Sequence, residues 1–384
     1  MRYSKINPIL RAGVSNINDS ATPSSITYAY NIGSLLGMLM GIMIITGILL
    51  ALHYIASAST AFDSVIHIMN DISFGTIIRY CHANIASLIF ISLYAHITRN
   101  IYYSSFRAPR TSTWLIGIVI LVLAIGTAFL GYSLVFGQMS LWGATVICSL
   151  FSAIPIFGNY ISILLWGAFS VSSSTITRFF ALHYLFALIV ISAAIVHLLM
   201  LHMHSSSTPL GISGNYDRHA MSPVFLIKDS ITMVMAIMVL LFLVSYIPNY
   251  LSHSDNYVVA NSLVTPASIV PEWYLLTYYA ILRSVPNKLV GVILMLLAIV
   301  WLAALILDVS IIRSNSYKIV TRILLVLGLY CFVVLLSLGS KHIEAPYIVL
   351  GQSTTLIYFI TLLFALPSIG ILENYLMSRN TESN

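Results

Sequence analysis

Charge is the scarcest commodity in this sequence. Only 7% of its 384 residues are Asp, Glu, Lys or Arg, against roughly 25% in an average soluble domain. So few charges cannot cover a water-facing surface, which excludes an ordinary soluble fold. Cysteine is almost as rare. Cys81, Cys148 and Cys331 are far apart and form no C-x-x-C pair, which points to neither a disulfide framework nor a zinc or iron–sulfur centre. The N-terminus, Met1-Arg-Tyr-Ser-Lys-Ile-Asn-Pro8, has no apolar run before residue 32 and little arginine. It resembles neither a secretory signal nor a transit peptide, and insertion without a cleaved presequence is expected.

What is abundant is apolar sequence, 59% of the chain, in uncharged runs of about twenty residues, the length that crosses a bilayer. The runs predict an all-α integral membrane protein with eight spans, at 32–52, 76–103, 113–134, 174–203, 224–247, 288–308, 320–340 and 349–372. A first region, 1–210, holds four spans and a second, 211–384, the other four, with no hydrophilic module attached. The uncharged stretch 138–177 could pass for a ninth span, but Pro155, Gly158 and Asn159 interrupt it, and those are turn residues. Two short surface helices near 139–150 and 157–166 are predicted instead.

The basic residues test that choice. With eight spans, Arg2, Lys5, Arg11, Arg99, Arg107, Arg110, Arg218, Lys228, Arg313, Lys318, Arg322 and Arg379 share one side, and Arg79, Arg178, Arg283, Lys288 and Lys341 the other, a split of 12 against 5. A ninth span would make it 10 against 7. The positive-inside bias favours eight, with both termini on the basic, negative-potential side. The pI near 9.1 reflects this asymmetry and implies a lipid bilayer, not nucleic acid.

Four of eleven histidines fall inside spans: His82 and His96 on the second, His183 and His197 on the fourth. Ionisable groups inside a bilayer are costly and usually functional. Both pairs are 14 residues apart, which on an α-helix is about 40° short of four full turns and a rise of ~21 Å. Each pair therefore shares a helix face, one member near each membrane surface. The second and fourth spans run in the same direction, so His82 is level with His183 and His96 with His197. Such a set can supply axial ligands to two stacked haems, whereas zinc would want more ligands at one point. A lone membrane histidine can equally bond to a neighbouring helix; two pairs with one spacing make that reading weak.

A second repeat accompanies the first. Gly33 and Gly47 on the first span, and Gly117 and Gly131 on the third, are also 14 apart. Glycine suits a place where a flat ring must approach the backbone. Small residues also serve plain helix packing, and Gly37, Gly41 and Gly126 show glycine to spare. Arg79 and Arg99 lie three residues outside the histidines of the second span, where they could pair with haem propionates or anchor the helix at the membrane surface.

At this point the chain resembles a known family. The histidine pattern, Gly131-Tyr132, Gly137-Gln-Met-Ser-Leu-Trp-Gly-Ala-Thr-Val146, Arg178-Phe-Phe-Ala-Leu-His183, Pro209-Leu-Gly-Ile-Ser-Gly-Asn215, Pro271-Glu-Trp-Tyr274 and Ala280-Ile-Leu-Arg283 are similar to those of mitochondrial cytochrome b in ubiquinol–cytochrome c reductase. The resemblance covers essentially the whole chain. It implies a quinol-oxidising subunit with two haem b groups, the low-potential one on His82 and His183, the high-potential one on His96 and His197. It implies a quinol-oxidation pocket at Glu272 and Tyr279, lined by Tyr132 and Gly143, and a quinone-reduction pocket at His202, Lys228 and Asp229. One electron would cross the membrane through the haems, coupled to proton translocation. The other would leave to a Rieske iron–sulfur protein, with cytochrome c1 and further subunits completing a homodimeric complex in the mitochondrial inner membrane.

The residues themselves agree in part. Glu272 is the one acidic residue in 256–287, and burial among apolar neighbours would raise its pKa toward neutrality and suit it to accept a proton. His202 and the Lys228-Asp229 pair could deliver protons to an incoming quinone, although Lys228-Asp229 also reads as a plain helix-start anchor. Four positions depart from the family pattern: Thr277 and Val135 where proline is common, Thr208 where asparagine is common, and Ala168 where a second glycine is common. They bear on the fine shape of the quinone pockets. The principal alternative is a two-haem transmembrane reductase of the ascorbate or ferric type, which would leave the Glu272 and Gly137-Gln segments unexplained.

Overall fold

A computed structural model describes Asn7 and residues 18–308, 310–312 and 314–382, the last four by backbone alone. The N-terminal reading and the charges of Arg2, Lys5, Arg11 and Arg313 lie outside the described residues, as does the side chain of Arg379. The described residues are mostly helical, because an apolar backbone in lipid must satisfy its own N–H and C=O groups.

Among the described residues, eight helices are long and apolar enough to cross a membrane. In chain order the helices are α1 (Ile32–Ala51), α2 (Ala61–Asn70), α3 (Gly75–Tyr102), α4 (Thr111–Leu134), α5 (Gln138–Leu150), α6 (Gly158–Trp166), α7 (Ser173–His204) and α8 (Val224–Tyr246). They continue with α9 (Leu276–Ser284), α10 (Lys288–Ala304), α11 (Ile319–Gly339), α12 (Tyr347–Phe359) and α13 (Leu366–Glu382). The predicted ninth-span ambiguity resolves into α5 and α6, two helices too short to span. The last span is longer than predicted. A π-helical turn at Ile360–Ala365 joins α12 to α13, just ahead of Pro367, which has no N–H to give a carbonyl four residues back. Helices α2 and α9 were not anticipated as separate elements, nor was the small antiparallel pair β1 (Ala21–Pro23) and β2 (Arg218–Ala220), in which Ala21 faces Ala220.

In the first half, α1 packs on α3 and α4 packs on α7, and the two pairs face one another. Helix α8 lies against α1 and α3. The largest core joins the two halves of the chain: Phe90, Leu93, Trp114 and Leu121 from α3 and α4 meet Tyr274, Tyr278, Ile281, Trp301, Leu335 and Tyr358. The outward faces stay apolar, with Ile231, Val234, Met238 and Phe242 of α8 exposed, as lipid-facing helices require. At the His96 end of the bundle, Arg107 pairs with Asp308, and buried Lys318 pairs with Glu373 at 3.2 Å. These ion pairs tie the α3–α4 loop to α10 and α11 to α13.

Candidate functional site

The structure brings the four intramembrane histidines together in two pairs. His82 and His183 stand with ring centroids 6.3 Å apart, and His96 and His197 at 6.4 Å. Two imidazoles bound to one iron through bonds of about 2.0 Å place their centroids roughly 6 Å apart. The spacing is too wide for ring stacking and right for one shared atom.

Neighbouring backbone sets the ring orientation. His82 Nδ1 is 3.1 Å from the Met43 carbonyl and 3.0 Å from Thr46 Oγ1. His183 Nδ1 is 2.8 Å from the Thr127 carbonyl. A carbonyl can only accept, so Nδ1 carries the hydrogen in both rings and the lone pair is left on Nε2, free for a metal. The carbonyls belong to residues four before Gly47 and Gly131. His197 repeats the arrangement toward Thr113, four before Gly117, but its Nδ1 and that of His96 complete no hydrogen bond.

The repeated glycines face these rings. A Cβ added at Gly131 would meet His183 Cε1 at 2.5 Å, at Gly47 His82 Cε1 at 3.0 Å, at Gly117 His197 Cε1 at 3.2 Å, and at Gly33 His96 Cε1 at 3.6 Å. The flat ring nearest the glycine backbone is thus the imidazole itself. Of the spare glycines, a Cβ at Gly37 or Gly41 would meet nothing within 4 Å, and one at Gly126 would meet Phe186 Cε2 at 3.6 Å and no histidine. Plain packing does not account for the 14-residue set.

Arg79 and Arg99 flank the rings. The Arg99 guanidinium lies 4.3 Å over the Tyr30 ring, and both its Nε and the Tyr30 hydroxyl are buried without a partner. Arg79 sits over Tyr80 at 5.5 Å and Tyr257 at 5.7 Å.

At the His82 end a hollow opens, lined by Tyr132, Gly143, Ile147, Ile269, Glu272 and Tyr279 among others. Burial pushes the Glu272 carboxyl up to about 7, while the Tyr132 hydroxyl and Arg79 pull it back. The Tyr132 hydroxyl lies beside Glu272 without completing a hydrogen bond. Tyr279 donates its hydroxyl to the Ile269 carbonyl at 2.9 Å. A Cβ at Gly143 would meet no atom within 4 Å, so that wall of the hollow is open.

The segment carrying Glu272 is anchored deep in the bundle. Trp273 Nε1 donates to Ser87 Oγ at 3.0 Å, and the Tyr94 hydroxyl donates to the Tyr274 carbonyl at 2.5 Å. Phe90 and Tyr274 stack at 4.0 Å with their planes 2° apart. Thr277, the departure from proline, is fully buried and donates its hydroxyl to the Phe332 carbonyl at 3.0 Å. The Gly137-Gln motif forms the opposite wall. Gln138 holds the Asn261 amide and the Val264 carbonyl, and Ser140 donates to Asn256 Oδ1 at 2.8 Å. Sequence reasoning missed Ser87, Tyr94, Thr46 and Asn256. They carry no motif of their own, and their partners lie 36 to 186 residues away.

At the other end, Lys228 lies 5.7 Å over Tyr28 and 5.6 Å over Phe225. Asp229 is buried and faces Ser34, and Asn31 donates to Thr232 at 3.0 Å, joining the start of α1 to α8. His202 is exposed near the end of α7. Among the described residues no hydrogen bond or ion pair joins it to Lys228 or Asp229.

Comparison with known proteins decides the family. The family model described as Cytochrome b/b6/petB matches residues 17–205, and Cytochrome b(C-terminal)/b6/petD matches residues 259–359. The chain is 50% identical to the cytochrome b of Saccharomyces cerevisiae, covering 98% of each chain. This chain belongs to the cytochrome b family. The cytochrome b of Yarrowia lipolytica is 51% identical over 97% of each chain, and that of Mycosarcoma maydis is 50% identical over 98% of this chain and 96% of the relative. A solved chain of a hyperthermophilic respiratory Complex III superposes with a TM-score of 0.91 at 28% identity, covering 96% of this chain and 98% of that one. The structure's own features fit the haem that the family implies. Two histidine pairs stand at single-iron spacing, Nδ1 is engaged in two rings, and buried Arg99 and Tyr30 leave polar atoms unpartnered that could take the acidic groups of a haem.

Proposed function

We propose that this cytochrome b is the two-haem subunit of a ubiquinol–cytochrome c reductase, oxidising quinol in the hollow at Glu272 and reducing quinone near Lys228 and Asp229. The observation that carries the reading is the pairing of His82 with His183 and of His96 with His197 at two depths of one bundle, with the Glu272 hollow at one end. His82 and His183 would hold one haem, low in potential, and His96 and His197 the other, high in potential, through Nε2. Bound haem supplies one-electron carriers at two depths.

The residues do the rest. The hollow excludes water from the quinol ring with Tyr274, Ile269 and Leu275. Glu272 takes the proton of a quinol hydroxyl on a carboxylate oxygen, and its value near 7 suits a base at neutral pH. Tyr132 and Arg79 stand where they favour the ionised carboxylate. At the other end Lys228 and Asp229 on α8, together with His202 near the end of α7, supply protons to the quinone. Residues 1–210 form the region that holds the haems. Residues 211–384 supply Glu272, Tyr279, Lys228 and Asp229, so each quinone pocket draws on both regions.

The likeness to a Complex III chain supports partners: a Rieske iron–sulfur protein, cytochrome c1, further subunits and a second copy in a homodimer. The mitochondrial origin of the relatives' family supports the inner membrane, with both termini in the matrix.

Two pockets make a prediction that a single-pocket reductase does not. In membranes carrying the complex, quinol should still reduce the b-type absorbance when either pocket alone is blocked by its own ligand, and fail to do so only when both are blocked. If one ligand suffices, the chain has one quinone pocket and the transmembrane-reductase alternative stands.

A further inference from the structure

We infer that Arg283 is a positioning residue for quinol binding, holding Tyr279 as the rear wall of the Glu272 hollow. The inference rests on the reading of that hollow as the quinol pocket. Arg283 lies one helical turn beyond Tyr279 on α9, a spacing that brings side chains together on a helix face. Its guanidinium covers the Tyr279 ring at 4.6 Å.

The cation is held by backbone alone. Arg283 Nη1 donates to the Lys341 carbonyl at 3.1 Å, and Nη2 donates to Leu338 at 2.9 Å and Gly339 at 3.0 Å. The Leu338 and Gly339 carbonyls end α11 and that of Lys341 lies two residues past it; at a helix C-terminus carbonyls lack intrahelical partners and the dipole is negative. No carboxylate among the described residues forms an ion pair with Arg283. A charge set among buried residues without a counter-ion is costly, and the helix end offsets that cost.

Two hollows meet at this stack. Tyr279 lines the Glu272 hollow. Arg283 lines a second one, about 310 Å³, with Ser284, His342 and Tyr347. The ring and guanidinium together are the partition between them. One edge of Tyr279 is fixed by its hydroxyl on Ile269 and its face by Arg283, so the ring is set in place before quinol arrives. Arg283 does not itself line the Glu272 hollow, so it acts on that hollow through Tyr279.

The test is steady-state quinol–cytochrome c reduction by the isolated complex, with the b-type spectrum as the measure of assembly. Arg283→Gln should raise the quinol KM about five- to tenfold, the size of a partly buried cation–π contact, with a much smaller change in kcat. In a Tyr279→Leu background the same substitution should change KM less than about twofold, because the residue it positions is gone. Arg283→Lys keeps a cation at the helix end but loses the planar fork, and carries the same measurement if Arg283→Gln fails to assemble. An unchanged KM in an assembled Arg283 variant, or an equal increase with and without Tyr279, overturns the inference. If Tyr279→Leu alone leaves KM untouched, the reading of the hollow fails first, and the role of Arg283 fails with it.

Discussion

Gly131→Ala should cost this protein one b-type spectral component while sparing the other. The added Cβ would lie 2.5 Å from His183 Cε1 and 2.9 Å from His183 Nδ1, closer than real Cβ contacts allow. The ring cannot easily retreat, because its Nδ1 is held by the Thr127 carbonyl at 2.8 Å. Relief must come from turning the imidazole off its bond or spreading α4 from α7, an overpacking cost of about 1–3 kcal/mol. Either movement displaces Nε2 from the position opposite His82. The other three glycines give an internal scale. Severity should follow the distances, with Gly47→Ala next at 3.0 Å, Gly117→Ala milder at 3.2 Å, and Gly33→Ala close to neutral at 3.6 Å. Gly131 and Gly47 variants should perturb the His82–His183 component, and Gly117 and Gly33 variants the His96–His197 component. Equal effects at all four positions would mean the glycines serve helix packing and not ring clearance. Haem content and spectra of the four purified variants decide the matter.

Glu272→Gln should remove the acid limb of quinol oxidation, the rise in rate as pH climbs through 7. The carboxyl accepts a proton only when ionised. With its pKa pushed up to about 7 by burial, turnover of the natural chain should climb as pH rises through 7 and level off above it. The amide has no such group, so its rate should be flat across that range and about a hundredfold lower at pH 8, the lower end of what a positioned base contributes. The stability sign separates this from unfolding. A carboxyl whose folded pKa is raised holds its proton more tightly in the native state, so it contributes stability at low pH that is lost as pH rises through 7. Gln has no such loss, and the variant should be no less stable than the natural chain at pH 8. A pH–rate profile together with a thermal midpoint at pH 8 reads both. A Gln variant that kept the same rise in rate through pH 7 would take Glu272 out of proton transfer.

Hydropathy and helix period carried the sequence reading a long way because both are local. The fourth span, expected at 174–203, is Ser173–His204, and the second, expected at 76–103, is Gly75–Tyr102. The 14-residue histidine spacing needed only 3.6 residues per turn and parallel helices to pair His82 with His183 and His96 with His197. Three other features were out of reach, for different reasons. Helices Ala61–Asn70 and Leu276–Ser284 are short and bounded by loops, so tertiary packing and not propensity sustains them. The cause of the repeated glycines was read as clearance for a flat ring, but only coordinates show the imidazole edge against them. The walls of the Glu272 hollow depend on long-range bonds such as Trp273 to Ser87 and Gln138 to Val264. Such pairings leave no periodic trace in one sequence. Thr277 is instructive in the same way. Its replacement of proline raised a question about pocket shape, and its buried hydroxyl bond to the Phe332 carbonyl supplies another means of fixing α9 against α11.

The measurement that bears most directly on the whole account is a redox titration of the b-type absorbance in the isolated complex, run on the natural chain and on His82→Leu, His183→Leu, His96→Leu and His197→Leu. The natural chain should titrate as two components. His82→Leu and His183→Leu should lose the component of lower potential, and His96→Leu and His197→Leu the one of higher potential. A colourless natural chain, a single component, or variants in which any one of these imidazoles can be removed with both components intact would contradict it.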